Sequence, residues 1–247
     1  MTPGSGIPYR EFGIIWFVKL APWNRFRSPV LRCILSIGCM VICAAPAVAG
    51  DLATVTFSLN FPGSEPERYS ISLHSDGRAS YECSARVSAE SEDREDYQTS
   101  FSFSNATSAR IFDLTAQAGY FQGKLDNGNK KLAFTGAKIL SYKDGQKDFS
   151  AEYNVSSLPA VQQLTNLFQG VAATLDFGRR LVFMHQYQKL ALDDELKRME
   201  EEARRGQLAE LQAVHPILQQ IYDDSSVINI DRARAARLMQ MGESGRQ

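Results

Sequence analysis

The sequence predicts an α+β protein: an antiparallel sheet of about six strands with one embedded helix, followed by a helical C-terminal region. Three observations predict it. Apolar and polar residues alternate at a period of two through much of 54–153, as in strands with one dry and one wet face. Asp76-Gly77 and Asp144-Gly145 supply the residue pairs that tight hairpins favour. Beyond Pro159 the apolar residues recur at helical spacing instead.

The first strand sets Val55, Phe57, Leu59 and Phe61 against Thr54, Thr56, Ser58 and Asn60. The second sets Tyr69, Ile71 and Leu73 against Ser70, Ser72 and His74, and the third places Ala79, Tyr81, Cys83 and Ala85 on one face. Tyr97, Phe101 and Phe103 mark a fourth. Alternation then fails over 105–118, where Ile111, Leu114 and Ala118 follow helical spacing, with Asn105 or Ser108 as the cap. A last hairpin runs from 132–142 through Asp144-Gly145 to Phe149, Ala151 and Tyr153.

Pro159 suits a first helical turn, and Val161, Leu164, Leu167, Phe168, Val171 and Leu175 form an apolar stripe in a helix that Gly178 is expected to end. Leu181–Met184 is four apolar residues in a row, which periodicity alone cannot assign; the continuing pattern of Leu190, Leu192, Leu196, Met199 and Ala203 favours helix. A further helix is expected over 207–222 with a break at His215-Pro216, and a last one capped by Asp231. The predicted division is a β-rich domain over 50–158, a helical region over 159–242 and a disordered tail over 243–247.

Residues 1–49 read as a secretory signal region. Arg25, Arg27 and Arg32 precede the uncharged run Cys33–Ala45, and Pro46 with Ala47-Val48-Ala49 follows as helix breaker and small-residue cleavage site. The run has 13 residues, whereas a membrane span needs about 20. Cys39 and Cys43 lack the neighbours of a lipidated cysteine, and the long stretch before Arg25 points to an over-extended start. The full chain of 247 residues has a net charge of −1. The signal region carries five basic residues and one acidic residue, so its removal leaves 198 residues at −5, with Cys83 the sole cysteine and no internal disulfide. Neither balance suits phosphate-backbone binding, so no nucleic-acid partner is expected, and a membrane is met only through an uncleaved signal.

From about Pro66 to Phe168 the order of features resembles a family of small exported bacterial domains of uncharacterised function. The matching residues are Tyr69, Asp76-Gly77, Tyr81, Gly119-Tyr120-Phe121 and Lys143-Asp144-Gly145. The family carries a Cys-Pro pair before its first tyrosine, where this chain has Pro66-Glu67-Arg68. The resemblance implies a fold and an exported setting, and no activity.

The sequence holds no catalytic, cofactor-binding or metal-ligating set. His74, His185 and His215 are isolated and read as packed or surface residues. There is no Gly-x-Ser-x-Gly elbow, and Cys83 shares a strand face with Tyr81 and so reads as a buried apolar residue. Two loops, one with Glu90, Glu92, Asp93, Glu95 and Asp96 and one over Asp126-Asn127-Gly128-Asn129, offer oxygens for calcium but read as solvated turns. Over Asp193–Arg205 the pairs Glu200–Arg204 and Glu201–Arg205 cover a narrow stripe of Leu192, Leu196, Met199 and Ala203, fit for the protein's own sheet or a partner helix.

The expected function is an exported, non-catalytic envelope or secreted module acting through protein contacts, with a partner or a second copy engaged by the C-terminal helices. Two alternatives stand beside it. One is an exported hydrolase with a dispersed site, using His185 with a nearby serine or carboxylate. The other is a small-ligand carrier using whatever part of the aromatic sheet face the helices leave uncovered.

Overall fold

The computed structural model describes residues 52–86, 94–129 and 131–244. The predicted signal region, the carboxylates Glu90, Glu92 and Asp93, and residues 245–247 of the predicted tail lie outside them.

Strands β1 (Thr54–Asn60), β2 (Arg68–His74), β3 (Arg78–Arg86) and β4 (Arg94–Ser102) form an antiparallel meander. Helix α1 (Asn105–Gln117) returns the chain from the β4 edge to β5 (Ala137–Lys143) and β6 (Asp148–Tyr153) beyond β1, giving the order β4-β3-β2-β1-β5-β6. The alternation is realised as predicted, with Phe57, Ile71, Leu73, Tyr81 and Leu140 fully buried on one face. On the other face the register aligns Ser100, Ser80, Ser72, Thr56, Ser141 and Ser150 in one row across all six strands. The fifth strand starts later than expected. Residues 132–136 are irregular, Phe134 is exposed, and Lys138 is buried instead. Its ammonium donates to the Thr135 carbonyl (3.0 Å), the Thr135 hydroxyl (2.8 Å) and the Asn154 carbonyl (2.9 Å), which organises this bend, and burial lowers its pKa.

Four helices follow: α2 (Pro159–Tyr187), α3 (Leu192–Arg204), α4 (His215–Asp223) and α5 (Asn229–Ser244). The first half of α2 lies on the sheet beside α1. Phe168 stacks on Phe57 at 5.4 Å, and Thr165 meets the Tyr153 hydroxyl at 2.6 Å. The remaining helices pack on the second half of α2 and on one another, so the predicted shelter for the sheet comes from α1 and α2. The stripe of Leu192, Leu196 and Met199 is fully buried among the protein's own helices.

Four further expectations need correction. Asp231 does not cap the last helix but lies inside its first turn, because α5 already starts at Asn229. Gly178 does not end α2, which continues through Leu181–Met184 to Tyr187. The glycine serves close approach, since a Cβ there would fall 2.5 Å from Val214 Cγ1. Residues 207–210 are not helical, and 211–214 form only a 3₁₀ turn. Their backbone bonds to α2 instead: the Ala209 amide donates to the Gly170 carbonyl (3.3 Å), and the Thr174 hydroxyl donates to the Ala209 carbonyl (2.7 Å). The cap of α1 is Ser104, whose hydroxyl accepts from the Thr107 amide.

That cap has a distant partner. Glu210, at a left-handed φ of 56°, accepts from the Ser104 amide (2.7 Å) and the Ser104 hydroxyl (2.9 Å). It fills the role of the acidic residue in a capping box from 106 positions away, and ties the 207–214 segment to α1. Replacing Glu210 with Ala leaves the Ser104 amide unpaired and is expected to cost about 1–3 kcal/mol. A chemical-denaturation cycle with Ser104→Ala checks this; additive losses would mean that the two residues are not coupled.

Helices α3 and α5 are clamped by charge. Glu200 accepts from Arg204 at 2.6 Å and from Arg237 at 2.8 and 3.0 Å, and Arg237 holds its carboxyl below the ordinary range. The Glu201–Arg205 pair is looser, at 3.9 Å. Arg234 pairs with Asp193, and the buried Asp231 beside them has its pKa pushed up to about 6 by desolvation and then by Asp193. A folded pKa above the unfolded one contributes stability that is complete below about pH 4 and gone once the pH passes about 6. Asp231→Asn should therefore gain on wild type as pH rises from about 4 to about 7, by urea unfolding at each pH. A difference that stays constant with pH would contradict this.

Candidate functional site

Between the sheet's end and the second half of α2 lies a cleft of about 960 Å³, at the upper end of the range typical of small-molecule sites. Leu59, Phe61 and Tyr69 line its sheet side, and Ala172, Ala173, Phe177, Phe183 and Met184 line its helical side. The loop 61–66 forms one rim. It is shaped by the Ser64 hydroxyl donating to the Phe61 carbonyl (2.8 Å) and the Pro66 carbonyl (2.9 Å). Glu65 ties this rim to β3 by accepting from the Arg86 amide at 2.8 Å. Burial pushes the Tyr69 phenol far above its ordinary pKa, which keeps it neutral.

The opposite end is charged. Asp176 and Glu195 are 3% and 4% exposed, deep enough that each requires compensation. Asp176 accepts from Arg179 Nε (3.1 Å) and Nη2 (2.9 Å), and also pairs with Arg180. Arg180 Nε donates to Glu195 at 2.7 Å, and Arg198 pairs with the same carboxylate. Arg179 extends the network to the sheet by donating to the Arg86 carbonyl at 3.0 Å. The guanidinium groups of Arg180 and Arg198 also lie 4.7 and 5.4 Å from the Phe177 ring centre. Removing one partner from a buried ion network of this kind costs about 3–5 kcal/mol, because the other charge stays buried. The chain Arg179–Asp176–Arg180–Glu195–Arg198 thus fixes α3 to α2 and holds arginine side chains along the cleft.

His185 does not line this cleft. Its Nε2 lies 2.9 Å from Asp224 Oδ2, and Lys189 donates to the same oxygen at 2.6 Å. Ser226 is close, but its hydroxyl donates to Asp224 Oδ1 (2.7 Å) and accepts from Lys189 (2.6 Å). Lys189 and then Ser226 hold the Asp224 carboxyl far below its usual range. The group anchors the end of α2 to the turn after α4, with His185, Lys189 and Ser226 all converging on the Asp224 carboxylate. His74 Nδ1 meets the Thr54 hydroxyl at 3.0 Å on the wet face, and His215 opens α4.

Cys83 is buried as expected, and burial pushes its thiol up and away from a reactive thiolate. In the 126–129 loop the Asp126 carboxylate accepts from the Gly128 amide (2.7 Å) and the Asn154 amide (2.8 Å), which makes it a turn brace. Among the described residues no group of three or more His, Cys, Asp or Glu is placed to hold a metal ion.

Little of the cleft was legible beforehand. Arg179 and Arg180 had one signal, two adjacent arginines directly before the apolar run Leu181–Met184. Glu195, the partner of Arg180, is 15 residues away, and the rim residues Phe61 to Pro66 are more distant still. No protein-family model matches the chain, and a search of curated proteins finds no relative.

Proposed function

We propose that the protein is an exported, non-catalytic module that works by binding a small molecule in the cleft between the sheet and α2. The single observation that carries this reading is the cleft itself, about 960 Å³ with an aromatic and aliphatic body and a cluster of arginines at one end. An apolar wall with a few convergent polar groups is the lining that small-ligand sites use. The signal-like segment at 1–49 supports the exported setting. The His185 cluster favours a non-catalytic role, because Ser226 spends its hydroxyl on a carboxylate rather than on the imidazole.

The neutral apolar dye N-phenyl-1-naphthylamine is expected to bind the purified protein with enhanced fluorescence. Ala173→Trp, which fills the cleft from α2, should abolish that signal while leaving the thermal unfolding curve cooperative. Equal dye binding by both proteins would place the dye elsewhere and remove this support.

A second reading, contact with a protein partner, is favoured by the far end of α2. Leu190 is 94% exposed and Tyr187 66% exposed, on a turn braced by Lys189. Bare apolar side chains on a braced turn are what an interface anchor presents before binding. If that turn mediates self-association, Leu190→Glu should lower the mass measured by light scattering. A wild-type monomer that captures no partner from envelope extract would count against this second role.

A further inference from the structure

The charged end of the cleft carries more information than its size, and the inference drawn from it rests on the binding reading above. Four arginines line the cleft (Arg86, Arg179, Arg180 and Arg198) against four carboxylates (Glu65, Asp176, Glu195 and Glu202). The carboxylates are not equally available. Glu65 and Arg86 pair with each other at 3.6 Å, and Glu202 is engaged by Arg205 at 3.2 Å, a residue outside the cleft lining. Asp176 and Glu195 are buried and saturated by Arg179, Arg180 and Arg198. The positive side has capacity left over. Among the described residues Arg198 hydrogen-bonds only through Nη2, and Arg180 only through Nε and Nη1.

Those two guanidinium groups also sit against Phe177, at the point where the apolar wall begins. Their carboxylate partners and the ring hold them in place, so a ligand meets arranged donors rather than flexible chains. Residual N–H donors on fixed guanidinium planes select a carboxylate over a neutral or cationic group. The wall beside them, with Phe61, Phe183 and Met184, asks for hydrocarbon.

We propose that the cleft binds a small amphipathic carboxylate, with its anionic head on Arg198 and Arg180 and its hydrocarbon body along Phe61, Phe183 and Met184. The head and the body are recognised separately, so each can be tested alone.

The experiment is displacement of N-phenyl-1-naphthylamine from the purified protein by three ligands of equal chain length, each kept below its micelle concentration. These are dodecanoate, dodecanol and dodecyltrimethylammonium. Dodecanoate should displace the dye about tenfold more tightly than dodecanol, the scale of one charge-assisted hydrogen bond, and dodecyltrimethylammonium should be weakest. Arg198→Gln, which leaves Arg180 in place, should shrink dodecanoate's advantage over dodecanol and leave dodecanol unchanged, a pattern that loss of folding would not produce; an undiminished advantage would overturn the placement of the head. If the dye binds and Ala173→Trp excludes it, but dodecanoate does no better than dodecanol or the cation wins, the carboxylate assignment is overturned and the binding reading survives. If the wild type binds neither dye nor any of the three ligands, both readings fall.

Discussion

Phe168 lies flat on Phe57, with ring centres 5.4 Å apart and planes within 4° of parallel. This contact joins the middle of the sheet to the first half of α2, and Phe103 meets the edge of the same ring at 6.5 Å. Each of these aromatic side chains contributes about 1.5–3 kcal/mol when taken from water. Their larger effect is positional, because the rest of α2 is carried past the sheet at a set height and angle. At 29 residues the helix is about 43 Å long, against about 23 Å for a seven-residue strand. The helix therefore outruns the sheet, and its second half needs other cover.

That cover is the C-terminal layer, and the way it attaches explains its local irregularity. The 207–214 segment gives up helical hydrogen bonds to bond with Gly170 and Thr174, and Val214 settles over Gly178. Through Glu210 the same segment caps α1, so one stretch of chain joins both layers. Helix α3 is drawn down by the Arg180–Glu195 pair, and α5 is drawn onto α3 by Glu200. The cleft is the space left where the helix departs from the sheet and these elements have not closed over it. Its charged lining is also the fastening of α3, which sets Arg180 and Arg198 against Phe177.

What the amino-acid order determined by itself is the set of elements and their faces. Six strands and their hairpins follow from alternation and Asp-Gly turns, because the period of two and the positive φ of Gly77 are local demands. The buried stripe of α2 and that of α3 follow from helical spacing in the same way. The tertiary structure alone decided the rest. It chose Ser104 over its neighbours as a cap, kept Gly178 helical, unwound 207–210 and buried Lys138, since in each case the deciding partner is Glu210, Val214, Gly170 or Asn154. It also brought Arg180 against Glu195 at the mouth of the cleft, a pairing that no local periodicity encodes, because ion pairs across helices depend on where the helices are laid.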